Sequence, residues 1–175
     1  MKKVTAWWRS PIGRLKISGT PDGITEISFD RHESPGAAGP PDALIPAVRQ
    51  LEEYFRGERR EFTIRLAPAG TAFQRKVWAE LEKIPFGLTA TYGGIAAVLN
   101  NPGAARAVGR ANHLNPISIV IPCHRVIGAG SDLRGYGGGL WRKRWLLEHE
   151  RSVAQTGAPA AGPSRPEKEQ RRNRR

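Results

Sequence analysis

The chain has 175 residues, a formal net charge of +12 and one cysteine. That length suits one domain or two small ones with a real core. A single thiol excludes an internal disulfide and any cysteine-rich zinc cluster, and no run approaches the ~18–20 apolar residues of a membrane span.

The basic start, MKKVTAWWRSPIGRL, lacks the apolar core and cleavage site of a secretion signal, so a soluble intracellular protein is expected. The stretches KVTAWWRS and GRLKIS read as strands joined by a Ser-Pro-Ile-Gly turn, and TPDG leads into a third strand, ITEISFD. HESPGAAGPPD is a loop. ALIPAVRQLEEYFRG places Val48, Leu51, Tyr54 and Phe55 at helical spacing, with Gly57 as the stop. REFTIRL alternates like one more strand, closing a small α/β unit at residue 69.

From residue 70 the pattern becomes helical. TAFQRKVWAELEKI sets Phe73, Val77, Leu81 and Ile84 on one face before Pro85. TYGGIAAVLN is a short helix with Thr91 as N-cap; after the turn Asn-Pro-Gly comes a third, AARAVGRANHL. Helix, tight turn, helix is one way to present a recognition helix to DNA. The small residues Ala104, Ala105, Ala107 and Gly109 suit close approach to a surface, with Arg106 and Arg110 projecting; close helix packing selects the same residues.

PISIVIP reads as a stiff buried strand ended by Pro122, which sets Cys123 just beyond it, followed by His124 and Arg125. Either neighbour is able to lower a thiol's pKa, although adjacent residues of an extended chain point to opposite sides. A histidine base also needs a third group to fix its tautomer; His113, Glu148, His149 and Glu150 are the candidates. GAGSDLRGYGGG is a glycine-rich loop that matches no phosphate-binding pattern. LWRKRWLLEHE is a final helix with Leu140, Trp145 and Leu146 or Leu147 inward. Residues 152–175 form a basic tail expected to be disordered. Residues 151–175 carry seven Lys/Arg against two Asp/Glu, so the first 150 residues keep +7. That balance suits a polyanionic partner, or a solvated basic surface.

ARAVGRANHLNPISIVIPCHRVIG followed by GYGGGLWRKRWLLEHE closely resembles the O6-alkylguanine-DNA alkyltransferases, whose hallmark is Pro-Cys-His-Arg-Val. The similarity covers roughly residues 71–150. It implies an α/β N-terminal ribonuclease H-like domain (1–69) and a mainly α C-terminal domain (70–151) with a winged-helix/helix-turn-helix DNA-binding motif. By position, Cys123 would accept the alkyl group, His124 would deprotonate it through a water, Glu150 would hold His124, and Asn115 would brace the loop. Arg106 would replace the flipped base in the duplex, with Ala105, Gly109 and Arg110 of the same helix on the DNA. Tyr92 would rotate the 3′ phosphate, and Val126, Tyr136 and Gly137 would hold the extruded guanine. Gly137 stands where some relatives have Ser, and Asn112 where others have a large apolar residue. The resemblance implies double-stranded DNA as partner through its minor groove, a monomer, and a cytoplasmic or nuclear location. It implies no cofactor and no metal.

One cysteine means one transfer per molecule, since no second thiol takes the group onward. Two other readings stay open on the residues alone. A lesion sensor would bind without covalent change, and a Cys-His hydrolase would turn over an ester or amide.

Overall fold

The computed structural model describes residues 2–30, 39–133 and 135–159. Most of the loop expected at 32–42, and the tail beyond residue 159, lie outside them.

The N-terminal part is a three-stranded antiparallel meander, β1 (Val4–Ser10), β2 (Gly13–Thr20) and β3 (Gly23–Phe29), covered by helix α1 (Ile45–Phe55). Alternation puts Leu15, Ile17 and Ile27 on the covered face, where they are fully buried with Leu51 and Tyr54 of α1. The first turn is tied by the Ser10 hydroxyl, which donates to the Gly13 carbonyl at 2.5 Å. Gly13 sits there at φ 117°, a conformation that a side chain would strain.

The strand expected over 60–66 does not form. Residues 59–63 instead follow the flank of α1: the Thr63 N–H donates to Gln50 at 2.9 Å and Arg59 pairs with Glu53. Only Arg65 and Ala67 reach β3, bonding both sides of Ile24. Further along the same edge, Ile27 exchanges bonds with Pro116 and Ser118 of the C-terminal part, at 2.9 and 2.8 Å. The edge of the first sheet is thus partly completed by the second domain.

Helix α2 (Ala72–Glu82) opens with a capping box, Thr71 accepting from the Gln74 N–H and Gln74 reaching back to the Thr71 N–H. Such a cap contributes about 1 kcal/mol. Its buried face is Val77, Trp78 and Leu81, and the Trp78 indole donates to the Ala111 carbonyl at 2.9 Å. Helix α3 (Tyr92–Val98) starts at the expected cap, Thr91, whose hydroxyl accepts from the Gly94 N–H. After a 3-10 turn over Pro102–Ala104 comes α4 (Ala105–His113). Val108, Ala111 and Asn112 face the core, whereas Arg106, Ala107 and Arg110 are exposed.

PISIVIP is buried, as expected, but it is not a strand. It folds on itself, with an isolated bridge between Ser118 and Ile121 and with Ile119 at φ 75°. Asn115 organises this turn. Its side chain accepts from the Ile117 N–H at 2.9 Å and donates to the Ile121 carbonyl at 2.8 Å, satisfying groups a strand partner would otherwise take.

Two short strands, β4 (Ala90–Thr91) and β5 (Val126–Ile127), pair in parallel. The last helix, α5 (Leu140–Thr156), runs past residue 151 into the stretch expected to be disordered, where Val153 is fully buried. Its inward residues include Trp141, Lys143, Trp145, Leu146, His149 and Glu150. Leu140, expected inside, is 46% exposed, because it stands at the first turn, where the chain leaves solvent.

Candidate active site

Cys123, His124 and Arg125 form one turn of 3-10 helix, and all three are buried. This turn resolves the difficulty that neighbours in an extended chain diverge. Pro122 starts it, and the Arg125 N–H closes it on the Pro122 carbonyl at 2.9 Å.

The third group is Glu150. Its Oε1 lies 2.8 Å from His124 Nε2, and both side chains are fully buried. Of the other candidates, Glu148 pairs with Arg151 on the surface, His113 is exposed, and His149 contacts the Tyr54 carbonyl at 2.8 Å. Glu150 also takes both arms of Arg125, with Nε to Oε2 at 2.9 Å and Nη2 to Oε1 at 3.0 Å. The Gly87 N–H reaches Oε2 at 3.0 Å and the Tyr54 hydroxyl reaches Oε1 at 2.8 Å. Burial opposes the charge of Glu150, but His124 and then Arg125 outweigh it and hold the carboxyl well below the usual range. Burial pushes His124 below its ordinary value, so the imidazole is neutral. An ionised acceptor at Nε2 fixes the proton there, which leaves Nδ1 as the basic nitrogen; among the described residues Nδ1 has no hydrogen-bond partner.

Neither His124 nor Arg125 makes the resting thiol acidic, contrary to the expectation from their adjacency. Arg125 is committed to Glu150 and to the Ile84 carbonyl. Burial raises the Cys123 pKa, and the nearby Asn115 amide and the charge of Lys143 pull the other way only in part. At rest Cys123 is a thiol.

Lys143 is the residue that sequence reasoning missed. Its side chain is fully buried, its Nζ donates to the Val126 carbonyl at 2.6 Å, and it lies 5.8 Å from the Tyr92 ring centroid. Burial lowers it to about 8, and ionisation of Cys123 pushes it back up. A signal was present: Lys143 and Glu150 sit three before and four after Leu146, on the stripe that continues to Val153. A charge inside a helix's apolar stripe marks a buried ionic site.

The β4–β5 pairing carries Tyr92 beside the Cys123 turn. Burial raises the Tyr92 and Tyr136 phenols, and ionisation of Cys123 pushes both up further. Tyr92, Ala105, Arg106 and Gly109 line one cleft of about 470 Å³ with Gly128, Ala129, Asp132 and Gly135. A Cβ at Gly109 would meet the Tyr92 ring at 3.7 Å, an ordinary contact, so the helix passes beside that ring. Arg110 stands outside this cleft, one turn along the exposed face. Gly137 is exposed near the His113 carbonyl. Gly138 has a structural reason, since a Cβ there would meet Phe29 at 2.6 Å.

A buried thiol with a histidine–carboxylate pair behind it, beneath a helix-turn-helix with exposed arginines, defines a DNA-directed cysteine protein of two domains. Residues 72–152 match the model of the 6-O-methylguanine DNA methyltransferase DNA-binding domain, and residues 4–68 match that of its ribonuclease-like domain. The methylated-DNA–protein-cysteine methyltransferase of Mycolicibacterium paratuberculosis is 51% identical over 146 residues, covering 81% of this chain and 88% of that protein. That of Methanosarcina acetivorans is 46% identical over 154 residues, covering 84% and 97%. The crystal structure of Mycobacterium tuberculosis OGT in complex with DNA superposes with a TM-score of 0.78 at 49% identity, covering 88% of this chain and 94% of that one. The chain belongs to the methylated-DNA–protein-cysteine methyltransferase family. Among the described residues no helix is long and apolar enough to cross a membrane.

Proposed function

We propose that this protein repairs DNA by moving the alkyl group of O6-alkylguanine onto Cys123, once per molecule. The observation that carries this reading is the single 3-10 turn joining the chain's one cysteine to a histidine whose tautomer Glu150 fixes.

The duplex lies against α4 through its minor groove. Arg106 enters the stack as the guanine swings out, at a cost of a few kcal/mol. Ala105 and Gly109 allow the close approach, and Arg110 meets the backbone. Tyr92 guides the 3′ phosphate, while Tyr136, Val126 and the main chain at Gly137 hold the base. O4-alkylthymine offers the same kind of carbon and is the natural second substrate. The protein acts as a monomer, in the compartment that holds the DNA.

Within the pocket, His124 Nδ1 draws the Cys123 proton through one water, and Glu150 stabilises the imidazolium that forms. Asn115 and Lys143 stabilise the thiolate. Sulfur attacks the alkyl carbon as the carbon–O6 bond breaks, and the electron pair leaves on guanine, which regains a proton. The thioether does not hydrolyse, so the reaction is stoichiometric. Buried, resting Cys123 suits this: the thiolate arises only beside a base in place.

Intact-mass measurement after incubation with a methylated-guanine duplex tests the reading. One methyl per chain, on the Cys123 peptide, is expected. Transfer beyond one equivalent, or alkylation elsewhere, overturns it.

A further inference from the structure

Of the five hydrogen bonds into the Glu150 carboxylate, four come from the C-terminal domain and one from the other side of the molecule. We infer that Tyr54, on α1 of the N-terminal domain, is a positioning residue for the transfer: its hydroxyl competes with His124 for Glu150 Oε1 and so sets how basic His124 is. The inference rests on the function proposed above only for its consequence in rate.

The geometry makes the competition specific. Oε1 receives Tyr54 at 2.8 Å, His124 at 2.8 Å and Arg125 at 3.0 Å, while Oε2 receives two donors. A carboxylate oxygen offers about two lone-pair directions, so three donors on Oε1 share what two would hold more strongly. Tyr54 acts only as a donor here, because burial and then the Glu150 charge keep its phenol protonated.

The hydroxyl is also unable to swing away. The Tyr54 ring packs with Phe55, Phe62, Phe86 and His149 at centroid distances of 5.2–6.0 Å, and its carbonyl contacts His149. Packing alone would be met by phenylalanine. A fully buried hydroxyl is a cost unless it is bonded, and this one is bonded to the carboxylate that orients His124.

Removing the hydroxyl leaves Oε1 to His124 and Arg125. The carboxylate then stabilises the imidazolium more, and the His124 pKa rises. The other titratable and charged groups around the pair stay in place: Cys123 and Arg125 on the turn, Lys143 and His149 on α5, and Tyr136 in the preceding loop.

The test is Tyr54→Phe in the full chain, read by NMR titration of the His124 imidazole and by the pH dependence of single-turnover transfer. The His124 titration is expected to move up by about half to one pH unit, and the acid limb of the rate profile with it. Phe62→Leu, which loosens the same ring cluster without touching Glu150, is expected to lower the melting temperature and leave the titration in place. An unmoved titration in Tyr54→Phe overturns the inference, as does an equal shift in Phe62→Leu. The titration needs no alkylated DNA, so failure of transfer in the unaltered protein would count against the proposed function alone.

Discussion

Arg125, two residues beyond Cys123, closes its guanidinium on both oxygens of Glu150, at 2.9 and 3.0 Å. The arginine that looked like an activator of the thiol is instead the counter-ion of a buried carboxylate. That division of labour separates what each residue contributes to stability and to chemistry.

Glu150→Gln should therefore act twice. It removes the anion that orients His124, and it strands Arg125 in a buried site, which costs about 3–5 kcal/mol. His124→Gln leaves the ion pair standing. It should slow transfer about 100- to 10,000-fold with affinity for a methylated duplex within twofold of the unaltered protein. Denaturant unfolding and single-turnover kinetics on both variants check this; equal losses of stability would contradict it.

Acid should weaken the fold in two stages. His124 and His149 are both held below their ordinary 6.5 by burial, so the unfolded chain binds those protons first. Stability then falls as pH drops below 6.5 toward the folded values. Glu150, lowered from 4.5, contributes stability that is complete above 4.5 and is lost as pH falls beneath it. A urea midpoint that stays level from pH 7 to pH 5 would contradict the first stage, and one that stays level from pH 4.5 to pH 2 would contradict the second.

Cys123 should be a poor target for small thiol reagents at neutral pH. It is 5% exposed and its pKa is raised above 9.0. Iodoacetamide labelling should climb only at alkaline pH. In Lys143→Met the loss of a nearby cation should raise the thiol further and cut labelling at pH 8 severalfold.

Arg106→Ala should slow repair of duplex DNA more than reaction with the free alkylated base, since only the duplex needs its stack filled. It should also reduce the slope of log affinity against log salt by about 1. Equal slowing of duplex and free base would remove the finger role.

Asn115→Ala should destabilise the molecule by about 2–4 kcal/mol, because it leaves buried backbone groups of Ile117 and Ile121 without partners. Thermal unfolding measures the loss, and transfer should fall with it as the Cys123 turn loosens.

Much of this was legible in the chain. The three-strand meander, α1 with its Gly57 stop, the Thr91 cap and the helix-turn-helix follow from turn residues and periodicity. The failures share a cause in long-range pairing. Residues 60–66 alternate like a strand, yet α1 and the 116–118 segment take the partners a strand would need. PISIVIP is apolar enough for a strand, yet the Asn115 amide outcompetes a ladder and bends it. Adjacency suggested that His124 or Arg125 is able to lower the thiol's pKa. Burial, which sequence does not reveal, reverses that. Tyr54 read as one more core aromatic, because its partner lies 96 positions away.

The shared edge at β3 bears on modularity. Ile27 gives and receives main-chain bonds with Pro116 and Ser118, and the loop that follows carries the thiol. Severing the chain between its halves would bare an unpaired strand on one piece and a frayed turn on the other. Neither half is a part that could be grafted elsewhere unaltered; a working transplant would have to carry its own matching edge.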